Sequence, residues 1–177
     1  RYEDRIRRDR LQQQVTAIAK SISSARIREI QAAEGGRQSP EYQRLYHQLR
    51  FLLHRVEDGA FLYMMQLTPD GNVAFLMDVE PVAVPEDPVE PGDIYEDASA
   101  ELVEALRTGQ SFTEGPLRDE WGVWVSAFSP ISRSGEDQAD AILGLDVDAG
   151  DWKYTLVQAA LFPAVISLTI LLFTLLG

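Results

Sequence analysis

Apolar residues in the first part of the chain recur at helical spacing. Leu11, Val15, Ile18, Ile22 and Ala25 follow a 4-3-4-3 interval among Arg, Gln, Lys and Ser, so one narrow apolar seam runs along a polar rod. Gly35-Gly36 ends this predicted long helix. Ser39-Pro40 begins a second one, with a hydroxyl N-cap, proline at the first helical position and Glu41 in the first turn. It runs to about Val56, with Tyr42, Leu45, Tyr46, Leu49, Leu52 and Leu53 on one face, and Asp58-Gly59 closes it.

From Ala60 the period becomes that of strands. Phe61 to Leu67 and Val73 to Met77 flank Thr68-Pro69-Asp70-Gly71-Asn72, in which proline presets one dihedral and glycine accepts positive φ, so the pair predicts a hairpin. Val79 to Gly92 carries Pro81, Pro85, Pro88 and Pro91 and is excluded from a sheet interior. A short helix over about Ala98 to Arg107 is stopped by Gly109. Two more strands follow, Gly122 to Ser129 and Ala139 to Val147. In the first, Trp124, Ser126 and Phe128 share one face and Val123, Val125 and Ala127 the other; in the second, Ala141, Leu143, Leu145 and Val147 oppose Ile142, Gly144 and Asp146. The predicted class is α+β, a PAS-like antiparallel sheet flanked by helices.

The end of the chain has a different pattern. Thr155 to Leu176 carries no charge, and from Ala159 onward its apolar run is broken only by Ser167, Thr169 and Thr174. A helix rises about 1.5 Å per residue, so such a run matches a hydrocarbon core about 30 Å thick and predicts a transmembrane helix, in which Pro163 is tolerated. The expected division is residues 1–38 as a signalling or dimerisation helix, 39–153 as the sensor-like domain and 154–177 as the span. The narrow seam is expected to pair with that of a second copy in a parallel homodimer.

Charge is unevenly spread and narrows the partners. Residues 1–55 hold 12 Lys+Arg against 6 Asp+Glu, whereas residues 56–177 hold 4 against 22, giving the chain its net −12. Nucleic acid is not expected as a partner of so acidic a domain. Only Lys153 stands just before the span, so the folded part is expected outside the cytoplasm. The chain has no cysteine, which excludes disulfides and thiolate metal sites and fits an oxidising compartment.

A family resemblance rests on several runs in order. These are Ser39-Pro40-Glu41-Tyr42, Phe61-Leu62-Tyr63-Met64, Asp70-Gly71-Asn72 through Asp78, Pro91-Gly92-Asp93-Ile94-Tyr95, Gly115-Pro116 through Ala127, and Leu143-Gly144-Leu145-Asp146 through Trp152. Together, over about Leu11 to Trp152, they resemble the Cache-type PDC sensor domains outside the membrane in bacterial sensor histidine kinases and diguanylate cyclases. The resemblance implies a periplasmic sensor on the bacterial inner membrane, set between two membrane helices. The second helix would lead to a cytoplasmic output domain, a histidine kinase or nucleotide cyclase.

A PAS-like sensor binds its ligand between the sheet and the loops over it. Tyr95, Trp121 and Trp124 offer flat faces for a small organic ligand or a cation. Arg118 could fork onto a carboxylate, and Asp78, Asp119 and Asp146 could accept from an ammonium or a hydroxyl. Tyr63, Phe75 and Ser126 complete the candidate set. Each has a structural alternative, since tryptophan in a sheet is often core and Arg118 stands beside Asp119 and Glu120. The ligand is expected to be an unidentified small molecule, and no cofactor is expected.

Catalysis finds little support in the sequence. His47 and His54 lie about 10.5 Å apart on one helix face, too far for a shared metal. Asp146 to Asp151 imitates a calcium loop, but its glycine is one position early and Val157 stands where a bidentate glutamate belongs. Two functions are left: a ligand-sensing module acting through the membrane helix, and a membrane-anchored dimerisation or docking ectodomain whose pocket is filled by its own side chains.

Overall fold

The structure, a computed structural model, describes residues 2–56, 59–79, 88–118, 122–132 and 138–149. In chain order these form α1 (Tyr2–Lys20), α2 (Ser24–Ala32), a 3-10 turn (Gly36–Gln38), α3 (Pro40–Leu53), β1 (Gly59–Leu67), β2 (Val73–Val79), α4 (Ala100–Thr108), β3 (Phe112–Arg118), β4 (Val123–Ile131) and β5 (Ala141–Asp148). The strands make one antiparallel sheet in the order β2-β1-β5-β4-β3. With helices on both faces, this is the α+β, PAS-like layout.

Local chemistry accounts for the elements foreseen. Ser39 caps α3 by accepting from the Tyr42 amide at 3.2 Å, with Pro40 at the first helical position. The β1–β2 turn closes through Thr68 N–H to Asn72 O at 2.8 Å and Gly71 N–H to Thr68 O at 2.9 Å, and Gly71 takes φ +84. α4 starts at the Ser99 cap and ends on Gly109 in the left-handed region. The two faces of β4 and β5 separate as their alternation requires. Val125, Ala127, Leu143, Leu145 and Val147 join the core under α1 and α3, while Phe128 and Ile142 join a second cluster under α4.

The N-terminal rod is two helices, not one. Ser21 and Ile22 donate back to Ile18 O and Ala19 O, each at 3.0 Å, which tightens the last turn of α1. Ser23 then turns extended and its hydroxyl accepts from the Arg26 amide at 3.4 Å, starting α2. A run of serines offers side-chain hydroxyls that compete with the helical ladder, so the break falls there. Beyond it, Ala25 is exposed, while Ile27 and Ile30 enter the core.

The predicted dimer seam is also corrected. Leu11, Val15, Ile18 and Ile22 are buried in this chain's own core, Val15 fully so, with Leu45 and Leu49 of α3 and the inner residues of β4 and β5. Gln12 donates to Phe128 O at 3.0 Å, fastening α1 along β4. A stripe narrow enough for a partner helix is equally narrow enough for one helix lying on a flat sheet.

β3 was not foreseen, because Gly115 and Pro116 argue against a strand. It forms at the edge of the sheet, where a missing N–H is tolerated, and its register slips between Glu114 and Leu117. Gly115 takes φ +96, and a Cβ there would run into the Trp124 carbonyl. Arg8 of α1, paired with Asp4 at 3.2 Å, donates to Gly115 O at 2.8 Å and Glu114 O at 3.4 Å and so ties the irregular edge to the helix.

The predicted span, 155–176, lies outside the described residues, as does 80–87 of the proline-rich connection. Among the described residues no helix is long and apolar enough to cross a membrane.

Candidate functional site

Sheet register builds the site. Paired residues of an antiparallel sheet share a face, so cross-strand rows can be followed from edge to edge. One row on the face under α4 reads Phe112, Phe128, Gly144, Tyr63 and Asp78 from β3 to β2. The next reads Glu114, Ser126, Asp146 and Phe61. Two carboxylates with a serine between them thus cross three strands beside a row of rings. On the opposite face, the same strands present mainly apolar side chains to α1 and α3, with Thr113 and buried Ser129 as polar members.

Rings border this polar row. Tyr63 meets Phe75 and Phe128 edge-on, each at 6.2 Å between centroids, and Phe75 meets Tyr95 at 5.6 Å. Phe112 stacks on Phe128 at 4.7 Å, and Trp124 stands perpendicular to Phe61 at 5.0 Å. Tyr95 is delivered by a segment that runs along the outer edge of β2, with Tyr95 N–H on Val73 O at 2.9 Å and Phe75 N–H on Asp93 O at 2.9 Å. α4 covers only part of the face, its Leu102, Ala105 and Leu106 packing with Met65 and Ile142. Trp124, Phe75, Tyr95, Asp78 and Asp146 stay half-buried, and Ser126 is 8% exposed.

At the centre, the Tyr63 hydroxyl donates to Asp146 Oδ1 at 2.9 Å. Burial first, then the charge and hydrogen bond of Asp146, with smaller contributions from Tyr95 and Glu114, push the Tyr63 phenol well above its ordinary value. Burial also raises the Glu114 carboxyl; a hydrogen bond from Ser99 opposes the shift and neighbouring Glu101 adds to it. Both groups therefore hold their protons more tightly than in water.

Of the residues expected from sequence, Tyr63, Phe75, Asp78, Tyr95, Trp124, Ser126 and Asp146 fall on or beside this face. Arg118 does not. It is exposed at the end of β3 in register with Val123, which packs on the α1 side. Asp119 and Trp121 lie outside the described residues. Glu114 was missed because β3 was missed, although the alternation of Phe112 and Glu114 was a faint signal. An open groove of about 390 Å³ between α4 and the start of β3, lined by Glu101, Glu104, Thr108, Gln110 and Phe112 among others, lies apart from the Tyr63–Asp146 pair. It is shallow and shares only Ala105 and Phe112 with the ring cluster. Among the described residues no group of three or more His, Asp or Glu could hold a metal.

No protein-family model matches the chain, and no curated protein matches it. Solved structures of the Campylobacter jejuni chemoreceptor Tlp3 are similar to it. Its sensory domain matches at 15% identity and a TM-score of 0.48, covering 79% of this chain and 52% of that one. Its ligand-binding domain in complex with L-valine matches at 14% identity and a TM-score of 0.47, covering 79% and 52%. The same domain in complex with 4-methylisoleucine gives 14%, 0.46, 79% and 50%. The chain thus spans about half the length of these solved chains.

Proposed function

We propose that this chain is a Cache-type sensor domain that binds a small organic ligand on the sheet face carrying Tyr63, Trp124, Ser126 and Asp146. The observation that carries the reading is the contrast between the two faces of one sheet. The α1 face is largely apolar, with no carboxylate among the residues packed under α1 and α3, as stability alone would select. The other face places Glu114, Ser126 and Asp146 among aromatic rings, with Asp146 accepting from Tyr63 and Glu114 beside Ser99, a polar row that packing alone does not call for. Convergent acceptors within an aromatic wall suit a ligand that brings hydrogen-bond donors and an apolar body.

The signal route follows from where the ends lie. Arg8 in α1 holds Gly115, which abuts Trp124, and Trp124 pairs with Asp148 at the end of β5. The first turns of α1 and the exit of β5 therefore sit at one end of the sheet. In this reading that end faces the bacterial inner membrane from the periplasm, and a shift of β5 is passed to the hydrophobic segment after it and on to a cytoplasmic histidine kinase or diguanylate cyclase. A ligand biases such a shift only through its differential affinity for the two states, typically about 1–3 kcal/mol.

The test is a thermal-shift panel of small amines, amino acids and carboxylates on the chain, beside Asp146→Asn and Trp124→Ala. A compound that raises the melting temperature of the unmodified chain and of neither variant supports the site. A shift that survives both substitutions removes it. A panel without any shift favours the alternative of a docking ectodomain, for which the ring-to-ring contacts across the face speak.

A further inference from the structure

We infer that Gly144 is a positioning residue of this site: by leaving the surface of β5 bare, it lets the Tyr63 ring lie across the strand and deliver its hydroxyl to Asp146. The inference rests on the reading of that face as the ligand site, and it concerns how the site is held in shape.

Glycine inside a central strand is costly and calls for a reason. It loses more conformational entropy than other residues and gives neighbours nothing to pack on. The usual reason, a positive φ, is absent here, since Gly144 is not among the glycines with left-handed backbone. What Gly144 does have is a ring on top of it. Tyr63 stands directly across the ladder from it. A Cβ built on Gly144 would lie 2.6 Å from Tyr63 Cζ, the carbon bearing the hydroxyl, and 3.0 Å from Cδ2, with Cε2 closer still. Carbon atoms settle at about 3.5–4.0 Å, so even a methyl group must move the ring.

The ring cannot move without losing the hydroxyl's partner. Asp146 lies two residues along β5 on the same face, and Tyr63 reaches it only by crossing the strand at Gly144. The rings of Phe75 and Phe128 flank Tyr63, and α4 presents apolar Leu102, Ala105 and Leu106 to the same cluster. The ionisable groups facing the phenol are Asp146 on β5, Asp78 opposite it on β2, Tyr95 from the segment after β2 and Glu114 on β3. With Tyr63 laid over Gly144, the uncovered part of the face shifts toward Asp146, Ser126 and Trp124. Gly144 therefore sets where a ligand can sit without touching it.

A purely structural role, glycine covered by an aromatic partner across the ladder, predicts a stability effect and nothing more. The experiment separates the two and needs no ligand. In the full chain labelled with 13C at tyrosine Cζ, the resonance missing from Tyr63→Phe identifies Tyr63, and its titration is followed in unmodified, Asp146→Asn and Gly144→Ala chains. Tyr63 is expected to titrate well above the exposed tyrosines in the unmodified chain. In both variants it is expected to fall, since the carboxylate is either neutralised or out of reach, while burial continues to hold it above its ordinary value. Folded Gly144→Ala with Tyr63 titrating as in the unmodified chain would overturn the inference. The second arm is a double-mutant cycle in melting temperature. Gly144→Ala should destabilise the unmodified chain and cost nothing in a Tyr63→Ala background, whereas equal cost in both would overturn the inference. If Gly144→Ala alone does not fold, the Gly144→Ala/Tyr63→Ala double variant decides: a folded one supports the inference and an unfolded one sinks it. Failure of the panel to find a ligand would leave these readouts untouched, so the two ideas fail separately.

Discussion

Glu114 shows how a single residue on the candidate face trades stability for chemistry. Its carboxyl is raised by burial, with Glu101 adding to the shift and the Ser99 hydroxyl opposing it. A group whose pKa is higher folded than unfolded favours the fold below its ordinary value of 4.5, and that contribution is lost as pH rises through the raised value. Above that raised value the ionised Glu114 is therefore a burden on the fold. Glu114→Gln keeps an acceptor for Ser99 and removes the charge. It should melt above the unmodified chain at pH 7, and the gap should close as both are acidified toward pH 4. Paired melting curves across that range check this, and an unchanged or lowered melting point at pH 7 would argue that the carboxylate is repaid within the fold. Tyr63 points the same way on the alkaline side, since its phenol is also held protonated by burial and by Asp146. For Tyr63 the neutral phenol, bonded to Asp146, supports the fold, and that contribution is lost only as pH rises through the raised value.

At the scale of elements, the location of α1 decides between assembly and core. Val15 is fully buried and Ile18 is 9% exposed against the sheet. Asp at both positions should unfold the chain, because two unpaired buried carboxylates at about 3–5 kcal/mol each remove most or all of the roughly 5–15 kcal/mol by which a domain is stable. Circular dichroism of that double variant should show loss of the native signal, whereas a folded protein of reduced mass by sedimentation would return the seam to a dimer interface. Much of the fold was legible because the deciding signals were local. Ser39-Pro40, Gly71 and Gly109 each act within a turn or two of themselves, and the alternation in β4 and β5 assigned their faces correctly. What escaped depended on distant partners. The a/d spacing of Leu11 to Ile22 is the same whether a second helix or a sheet receives it. β3 could not be read from Phe112 to Arg118, because its tolerance of Pro116 comes from an edge position and from Arg8 holding the carbonyls of Glu114 and Gly115. At the candidate face, Tyr63, Phe75, Asp78, Trp124, Ser126 and Asp146 come together from β1, β2, β4 and β5, whereas Glu114 went unread with its strand and Arg118 lies in register with Val123 on the α1 side.

Across the whole molecule, one sheet has a largely apolar face under α1 and α3 and an opposite face on which the proposed ligand would sit. α1, α3 and the apolar rows of β1, β4 and β5 form the first, while Tyr63, Trp124, Ser126, Asp146 and Glu114 form the second. The two share strands, so a ligand pressing on Asp146 acts on the same β5 whose far side packs under α1. The groove beside α4 is the competing location, with Glu101 and Glu104 on its wall. The most direct measurement is an amide and indole chemical-shift map of the 15N-labelled chain, titrated with a compound that raises its melting temperature. The account predicts that the largest perturbations fall on Gly144, Asp146, Ser126 and the Trp124 indole; perturbations confined to Glu101, Glu104, Thr108 and Gln110 would contradict it.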